Sequence, residues 1–158
     1  MAEIAPETGT TTREPAVLRR MTFSVPVLVR GYELDTQGHL NHAVYHQYGE
    51  HARWELMRAA GIPQDKFLAS GIGAVVLEST IKYRRELRGG DEITVTCELD
   101  FDGGKVFRFH HQILKLDGTV SAEITVVAGA MDLTERKLIA DPAAHFRDLA
   151  EHPELLGL

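Results

Sequence analysis

The stretch VRGYELDTQGHLNHAVYHQYGEHARWELM, residues 29–57, decides the fold, because the period of its apolar residues changes partway along. It opens on the end of TFSVPVLVRGY (22–32), where Phe23, Val25, Val27 and Val29 alternate with Ser24, Pro26, Leu28 and Arg30. That two-residue period predicts a strand. Pro26 has no N–H for a ladder, so the strand is expected to have a free edge or a bulge there. From Asn41 to Ala60 the pattern is helical: Tyr45, Tyr48, Ala52, Leu56 and Ala59 form one apolar face. Asn41 stands where an N-cap belongs, and Gly61 followed by Pro63 stops the helix. Between strand and helix lies the polar loop ELDTQGHLN.

Downstream the chain reads as strand and turn. Residues 73–87 make one long strand, followed by Gly89-Gly90-Asp91. Residues 92–101 place Ile93, Val95, Cys97, Leu99 and Phe101 on one face. Asp102-Gly103-Gly104 and Asp117-Gly118 are hairpin turns flanking strand 105–116, and strand 119–132 follows. Asp141-Pro142 opens a short C-terminal helix over 142–151. The expected order is one strand, a long helix, then four antiparallel strands joined by consecutive hairpins, an α+β arrangement. One helix cannot cover both faces of such a sheet. The sheet is therefore expected to wrap around the helix and keep apolar surface for a second copy, as a homodimer or dimer of dimers. Residues 1–16 read as a flexible arm and 17–158 as a single domain.

Composition narrows the function. The 158 residues carry 17 Lys+Arg against 23 Asp+Glu, a formal charge of −6. An acidic chain lacks the field of a general nucleic-acid binder. At 44% hydrophobic and 25% charged it is a globular composition, with no apolar run of membrane-span length. The single Cys97 excludes an internal disulfide, and with no targeting signal visible it points to a reducing, cytoplasmic setting.

The loop before the helix concentrates reactive groups: Glu33, Asp35, Gln37, His39, Asn41 and His42. A helix N-terminus offers unpaired N–H groups and the positive end of a macrodipole, which can hold a carbonyl oxygen becoming an oxyanion. A carboxylate just upstream, Asp35, could attack that carbonyl or take a proton from a water that does. The plainer role of Asp35 is that of a turn residue. His39 could orient the water or Asp35, or simply pack across the loop. Glu50 could reach a shared site, but its i,i+3 spacing to Arg53 favours a helix-surface ion pair.

Taken together, Val29, Arg30, Gly31, Tyr32, Leu34, Asp35, His39, Asn41, Ala43, Tyr45, Glu50, Ala52, Arg53 and Trp54 resemble the signature of the hotdog-fold acyl-CoA thioesterases. Within the 4-hydroxybenzoyl-CoA thioesterase-like group, the long-chain acyl-CoA thioesterase branch is the nearest. Ile81, Tyr83, Arg84 and Arg85 resemble that branch's strand motif. The resemblance implies a hotdog fold, an antiparallel sheet wrapped around one long central helix, working as a dimer whose sheets join. It implies hydrolysis of an acyl thioester, on coenzyme A or acyl carrier protein, to a free acid and a thiol. Asp35 would be general base or nucleophile, and backbone N–H groups near His42 would polarise the carbonyl. The plant acyl carrier protein thioesterases share L-D-x-x-x-H-x-N, which implicates Gln37 and His39 beside Asp35, although Gln37 stands where those proteins carry Asn. Asn41 and Tyr45 would line the substrate.

The chemistry is compatible, since a thioester is already activated and needs neither a cofactor nor a metal. Lys82, Arg84, Arg85 and Arg88 form the densest positive charge in the chain and could bind coenzyme phosphates or an acidic carrier protein. His42, His46 and Glu50 share a helical face but lack an H-E-x-x-H pattern, so they read as a solvated face, not a metal site. His110 and His111 point to opposite faces of their strand, and Cys97 belongs to the core. The alternative function is a non-catalytic acyl-CoA-binding module of the same fold. A third reading, hydration of an acyl thioester, lacks its motif here.

Overall fold

The computed structural model describes residues 22–158, so the arm expected over 1–16 lies outside the described residues. Strand β1 spans Phe23–Leu28 and helix α1 spans Val44–Ala59, with a short 3-10 turn at Gly31–Glu33 between them. Helix α2 (Gln64–Ala69) precedes β2 (Ile72–Tyr83), β3 (Glu92–Phe101), β4 (Val106–Lys115) and β5 (Val120–Asp132). The two-residue β6 (Lys137–Leu138) and helix α3 (Pro142–Leu149) follow, and a short 3-10 turn at Pro153–Leu156 comes after them.

The strands form one antiparallel sheet in the order β1-β3-β4-β5-β2, with β6 beside β5. It curls around α1, as expected. Tyr45, Tyr48, Gly49, Ala52, Leu56 and Met57 of the helix are buried against Ile93, Val95 and Cys97 of β3 and Phe107, Phe109 and Ile113 of β4. Ala59, assigned to the apolar face from the pattern, is exposed; Met57 and Ala60 take that side instead. Gly61 ends the helix at φ +85, where any Cβ would meet Glu151.

Two expectations are corrected. Asn41 does not cap α1, whose first flanking residue is Ala43. Its Oδ1 instead accepts the Ala43 N–H at 3.0 Å, making a turn one step upstream. The four strands after the helix are also not all consecutive hairpins. β3, β4 and β5 are, but β2 pairs with β5 at the far side of the sheet, from Ile72↔Asp132 to Tyr83↔Ala122. Strand β2 ends at Tyr83, and residues 84–91 carry the chain across the end of the sheet. The backbone groups of this crossing segment are taken by other partners. Leu40 N–H donates to Leu87 O (2.7 Å), Gly90 N–H to Val29 O (2.8 Å) and Val29 N–H to Asp91 O (2.9 Å). With those groups engaged, a β2–β3 hairpin has no ladder to form. Helix α2 and β6 had no distinct signal in the sequence.

Among the described residues the sheet therefore has two free edges. Strand β1 carries Pro26 in mid-strand. Strand β2 is mostly exposed and shows Val76, Leu77 and Tyr83 to solvent, with a register shift between Val76 and Glu78.

Candidate active site

The loop between β1 and α1 is a miniature hairpin. Leu34 bridges Leu40, Asp35 N–H donates to His39 O at 2.7 Å, and Gly38 turns the chain at φ +79. Glu33 ties the loop to the helix by accepting from the Tyr48 hydroxyl and from Arg30 N–H at 2.9 Å. On the other side His39 bridges Arg88 of the crossing segment. Loop, helix entrance and crossing segment border an open cavity of about 300 Å³ lined by Asp35, His39, His42, Tyr45, Tyr83, Arg84, Arg85 and Glu86.

Asp35 is a turn residue, and the turn also orients its carboxylate. Its Oδ1 accepts N–H groups of Gln37 (2.9 Å) and His39 (3.1 Å). Oδ2 has no hydrogen-bond partner among the described residues. The His39 N–H holds this carboxyl below the usual carboxylate range against desolvation, helped by the Gln37 N–H and the charges of His39 and His42. The result is an ionised group with an uncommitted oxygen in the cavity.

His42 lies beside it, just before α1. Among the described residues its N–H meets no acceptor, while its carbonyl accepts from the Tyr83 hydroxyl at 2.9 Å. His42 and Asp35 line the same cavity, and an unpaired amide close to a free carboxylate oxygen is the pairing an acyl-transfer site needs. His39 contributes differently from either sequence alternative, because its Nε2 lies 2.7 Å from Oε2 of Glu86. Arg88, donating to Glu86 at 2.8 Å, holds that carboxyl below its ordinary range. Sequence reasoning missed Glu86; its only signal was an acid inside a basic run.

The other candidates separate. Tyr45 lines the cavity, 4% exposed, edge-on to Tyr83 with ring centroids 5.1 Å apart. Gln37 and Asn41 take part through turn hydrogen bonds, and neither lines the cavity. Arg84 is paired with Glu123 (2.6 Å) and Arg88 with Glu86. Arg85 donates to the Arg84 carbonyl at 2.7 Å and has no carboxylate partner among the described residues. The tyrosines Tyr45 and Tyr83 have their hydroxyls pushed up by burial and stay neutral donors.

Elsewhere, Cys97 is 2% exposed and burial pushes its thiol up to about 12, as a core residue requires. His46 Nδ1 lies 3.1 Å from Ser79 Oγ, and no group of three or more potential metal ligands exists among the described residues. No helix of the described residues is long and apolar enough to cross a membrane. Glu50 exerts charge on Arg53 but makes no hydrogen bond to it, so the expected ion pair is not formed.

Comparisons with known proteins agree on the lineage. The family model described as Thioesterase-like superfamily matches residues 29–154. The chain is 33% identical over 118 residues to the long-chain acyl-CoA thioesterase FadM of Escherichia coli, covering 72% of this chain and 86% of that one. It is 37% identical over 92 residues to a chloroplastic acyl-acyl carrier protein thioesterase, ATL3, of Arabidopsis thaliana. That match covers 58% of this chain and 48% of the relative, so the chain spans about half its length. The crystal structure of YbaW, a probable thioesterase from Escherichia coli, superposes with a TM-score of 0.70 at 28% identity, covering 80% of this chain and 95% of that one. A hypothetical protein from Aquifex aeolicus superposes with a TM-score of 0.73 at 27% identity, covering 80% and 98%. Because the family match takes in the helix entrance, the crossing segment and the curled sheet alike, the chain belongs to the thioesterase-like superfamily and is a hotdog-fold thioesterase.

Proposed function

We propose that this thioesterase hydrolyses acyl thioesters of coenzyme A or acyl carrier protein, with Asp35 as the reacting carboxylate. The observation that carries the reading is the free Oδ2 of Asp35 in one cavity with the unpaired N–H of His42. The His42 amide receives the thioester carbonyl. Asp35 either takes a proton from water as it attacks the carbonyl carbon or attacks it directly. In both cases a C–O bond forms, the C–S bond breaks, and the thiolate leaves and takes up a proton; attack by water gives the free acid at once, whereas attack by Asp35 gives a mixed anhydride that a water molecule then hydrolyses to the free acid and the restored carboxylate. His39, held by Glu86, orients the groups beside Asp35. Of the three arginines in the crossing segment, Arg85 is the one without a carboxylate partner among the described residues and is left for a phosphate, and Tyr45 with Tyr83 walls the pantetheine path. The relatives support both carriers, one being an acyl-CoA and the other an acyl carrier protein thioesterase.

The working unit in this reading is a cytoplasmic homodimer joined along β2. An unpaired strand that exposes Val76 at 57% and Leu77 at 51% is an edge a soluble protein covers. The opposite edge is blocked for pairing by Pro26. Light scattering at micromolar concentration should give a dimer or larger, and a sharp monomer would remove this part. Thiol release from acyl-CoA and acyl carrier protein series, with Asp35→Asn as control, tests the activity. A parent that binds acyl-CoA but releases no thiol from any thioester would leave the binding-module alternative.

A further inference from the structure

Cleavage of a thioester leaves a sulfur that must take up a proton, and the groups lining the Asp35 cavity differ in which of them can give one. Asp35 and Glu86 are carboxyls held below their ordinary range, the first by the His39 N–H above all and the second by Arg88, so both are ionised and only accept. Tyr83 already donates its hydroxyl hydrogen to His42 O at 2.9 Å, and burial pushes the Tyr45 and Tyr83 hydroxyls up, away from acidity. Arg84 is paired with Glu123, and a guanidinium does not give up its proton in a protein. His39 has its Nε2 at 2.7 Å from Oε2 of Glu86, so the proton on that nitrogen is held by a carboxylate.

His42 remains. It lines the cavity and is exposed, and among the described residues no hydrogen bond reaches its imidazole, so both ring nitrogens are open. Its charge acts on the Asp35 carboxyl, which places ring and carboxylate in the same space. The backbone around it is fixed, because the Tyr83 hydroxyl holds the His42 carbonyl and Val44, the next residue but one, begins α1. The amide proposed to hold the thioester oxygen belongs to this same residue. The sulfur is bonded to the carbon that carries that oxygen. An imidazole on the residue that supplies the amide is therefore carried within a side chain's length of the sulfur.

We infer that the His42 side chain is the general acid of the reaction and protonates the departing thiolate. The inference rests on the acyl-thioester reading and adds a second catalytic residue to it, distinct from the His42 backbone amide. As the C–S bond breaks, its electron pair goes to sulfur. The proton of a ring N–H of the imidazolium passes to that sulfur, an S–H bond forms, and the ring is left neutral. When water is the attacking group, Asp35 has received the water's proton, which returns to the ring through solvent. When Asp35 attacks directly, the water that later opens the anhydride releases the proton that the ring takes back. Either way one water is consumed and a free acid and a thiol leave. An imidazolium is a stronger acid than an alkyl thiol, so the transfer runs downhill. An aryl thiolate is far less basic and gains little from the same proton.

The test uses matched pairs of thioesters, octanoyl to hexadecanoyl, carried either on N-acetylcysteamine, an alkyl thiol, or on 4-nitrothiophenol, an aryl thiol. The acyl chain is constant within a pair and only the leaving group changes. His42→Gln keeps the backbone N–H and removes the proton donor. In the full chain it should lower kcat/KM for the alkyl thioester by about 10²-fold, the low end for a positioned acid, and for the aryl thioester by less than about twofold. Free imidazole added to His42→Ala should recover part of the alkyl rate. His39→Gln and Asp35→Asn should slow both thioesters. An equal loss on both thioesters in His42→Gln, no loss on the alkyl one, or a selective loss that appears in His39→Gln instead would each overturn the inference. A parent that hydrolyses no pair would defeat hydrolysis and the general acid together. A selective loss in His42→Gln beside a fully active Asp35→Asn would defeat the Asp35 assignment and leave the general acid standing.

Discussion

The entrance of α1 and the middle of the same helix both gather polar groups, and they treat them in opposite ways. At the entrance, Asp35 uses one carboxylate oxygen for its turn and leaves the other free, and the His42 N–H is unpaired among the described residues. Beside the middle of the helix, His111 of β4 is buried with both ring nitrogens engaged, by Thr96 O and by Arg53 of α1. The first arrangement leaves an acceptor and a donor open for the proposed reaction; the second uses hydrogen bonds to keep a polar core group in place. The difference teaches that a density of acids and histidines does not mark a site. What marks it is an uncommitted acceptor and an uncommitted donor facing one space.

The sharpest way to break this contrast is Asp35→Asn. The amide oxygen can still accept the Gln37 and His39 N–H groups, so the turn and the melting temperature should stay close to the parent. The free position loses its charge, and kcat should fall by about 10²–10⁴, the span usual for a positioned base. Steady-state kinetics beside a thermal melt checks this, and hydrolysis within a few-fold of the parent would sink the assignment. Acidification gives the companion result. Because the carboxyl is held below the usual range, the acid limb of the pH–rate profile should lie at or below the ordinary carboxylate region.

His111 should show the opposite phenotype, in stability and not in rate. The folded imidazole stays neutral down to about 4, whereas an unfolded histidine takes its proton near 6.5. Between those values the unfolded chain binds more protons, so folding weakens as pH falls from about 6.5 toward 4. At 1.36 kcal/mol per unit the loss approaches about 3 kcal/mol. Urea unfolding at pH 7 and at pH 4.5 measures it, and His111→Gln should flatten the dependence. An unchanged slope in that variant would place the effect on other groups.

The smallest effect separates the arginines. Arg85→Gln should raise KM for acyl-CoA about three- to tenfold with kcat little changed, since phosphates distant from the sulfur are held equally in ground and transition states. Arg84→Gln, whose parent side chain is already occupied by Glu123, should change KM less than twofold. Equal effects at both positions would show that carboxylate pairing does not decide which cation is available.

Much of this was legible along the chain. The strand-to-helix change of period around Asp35, the Gly61 stop, the Asp-Gly hairpin turns and the core side of β3 follow from local periodicity and turn chemistry, and these appear at their expected places. Asp35 was legible for the same reason, since an acid just before a helix N-terminus is a local relationship. Glu86, the sorting of Arg84, Arg85 and Arg88, and the Arg53–His111 contact were not. Residues 84–91 read as the end of a strand and a turn. Only their passage across the sheet to the Asp35 loop puts Glu86 on His39 and leaves Arg85 unmatched. Arg53 and His111 are 58 positions apart, and nothing in either neighbourhood announces the other. Periodicity and turn residues act over a few positions and were settled by the sequence alone. The partner each charged group finds depends on the β2–β5 pairing, where burial and strand register, acting between distant segments, decide which valences are used and which remain for substrate.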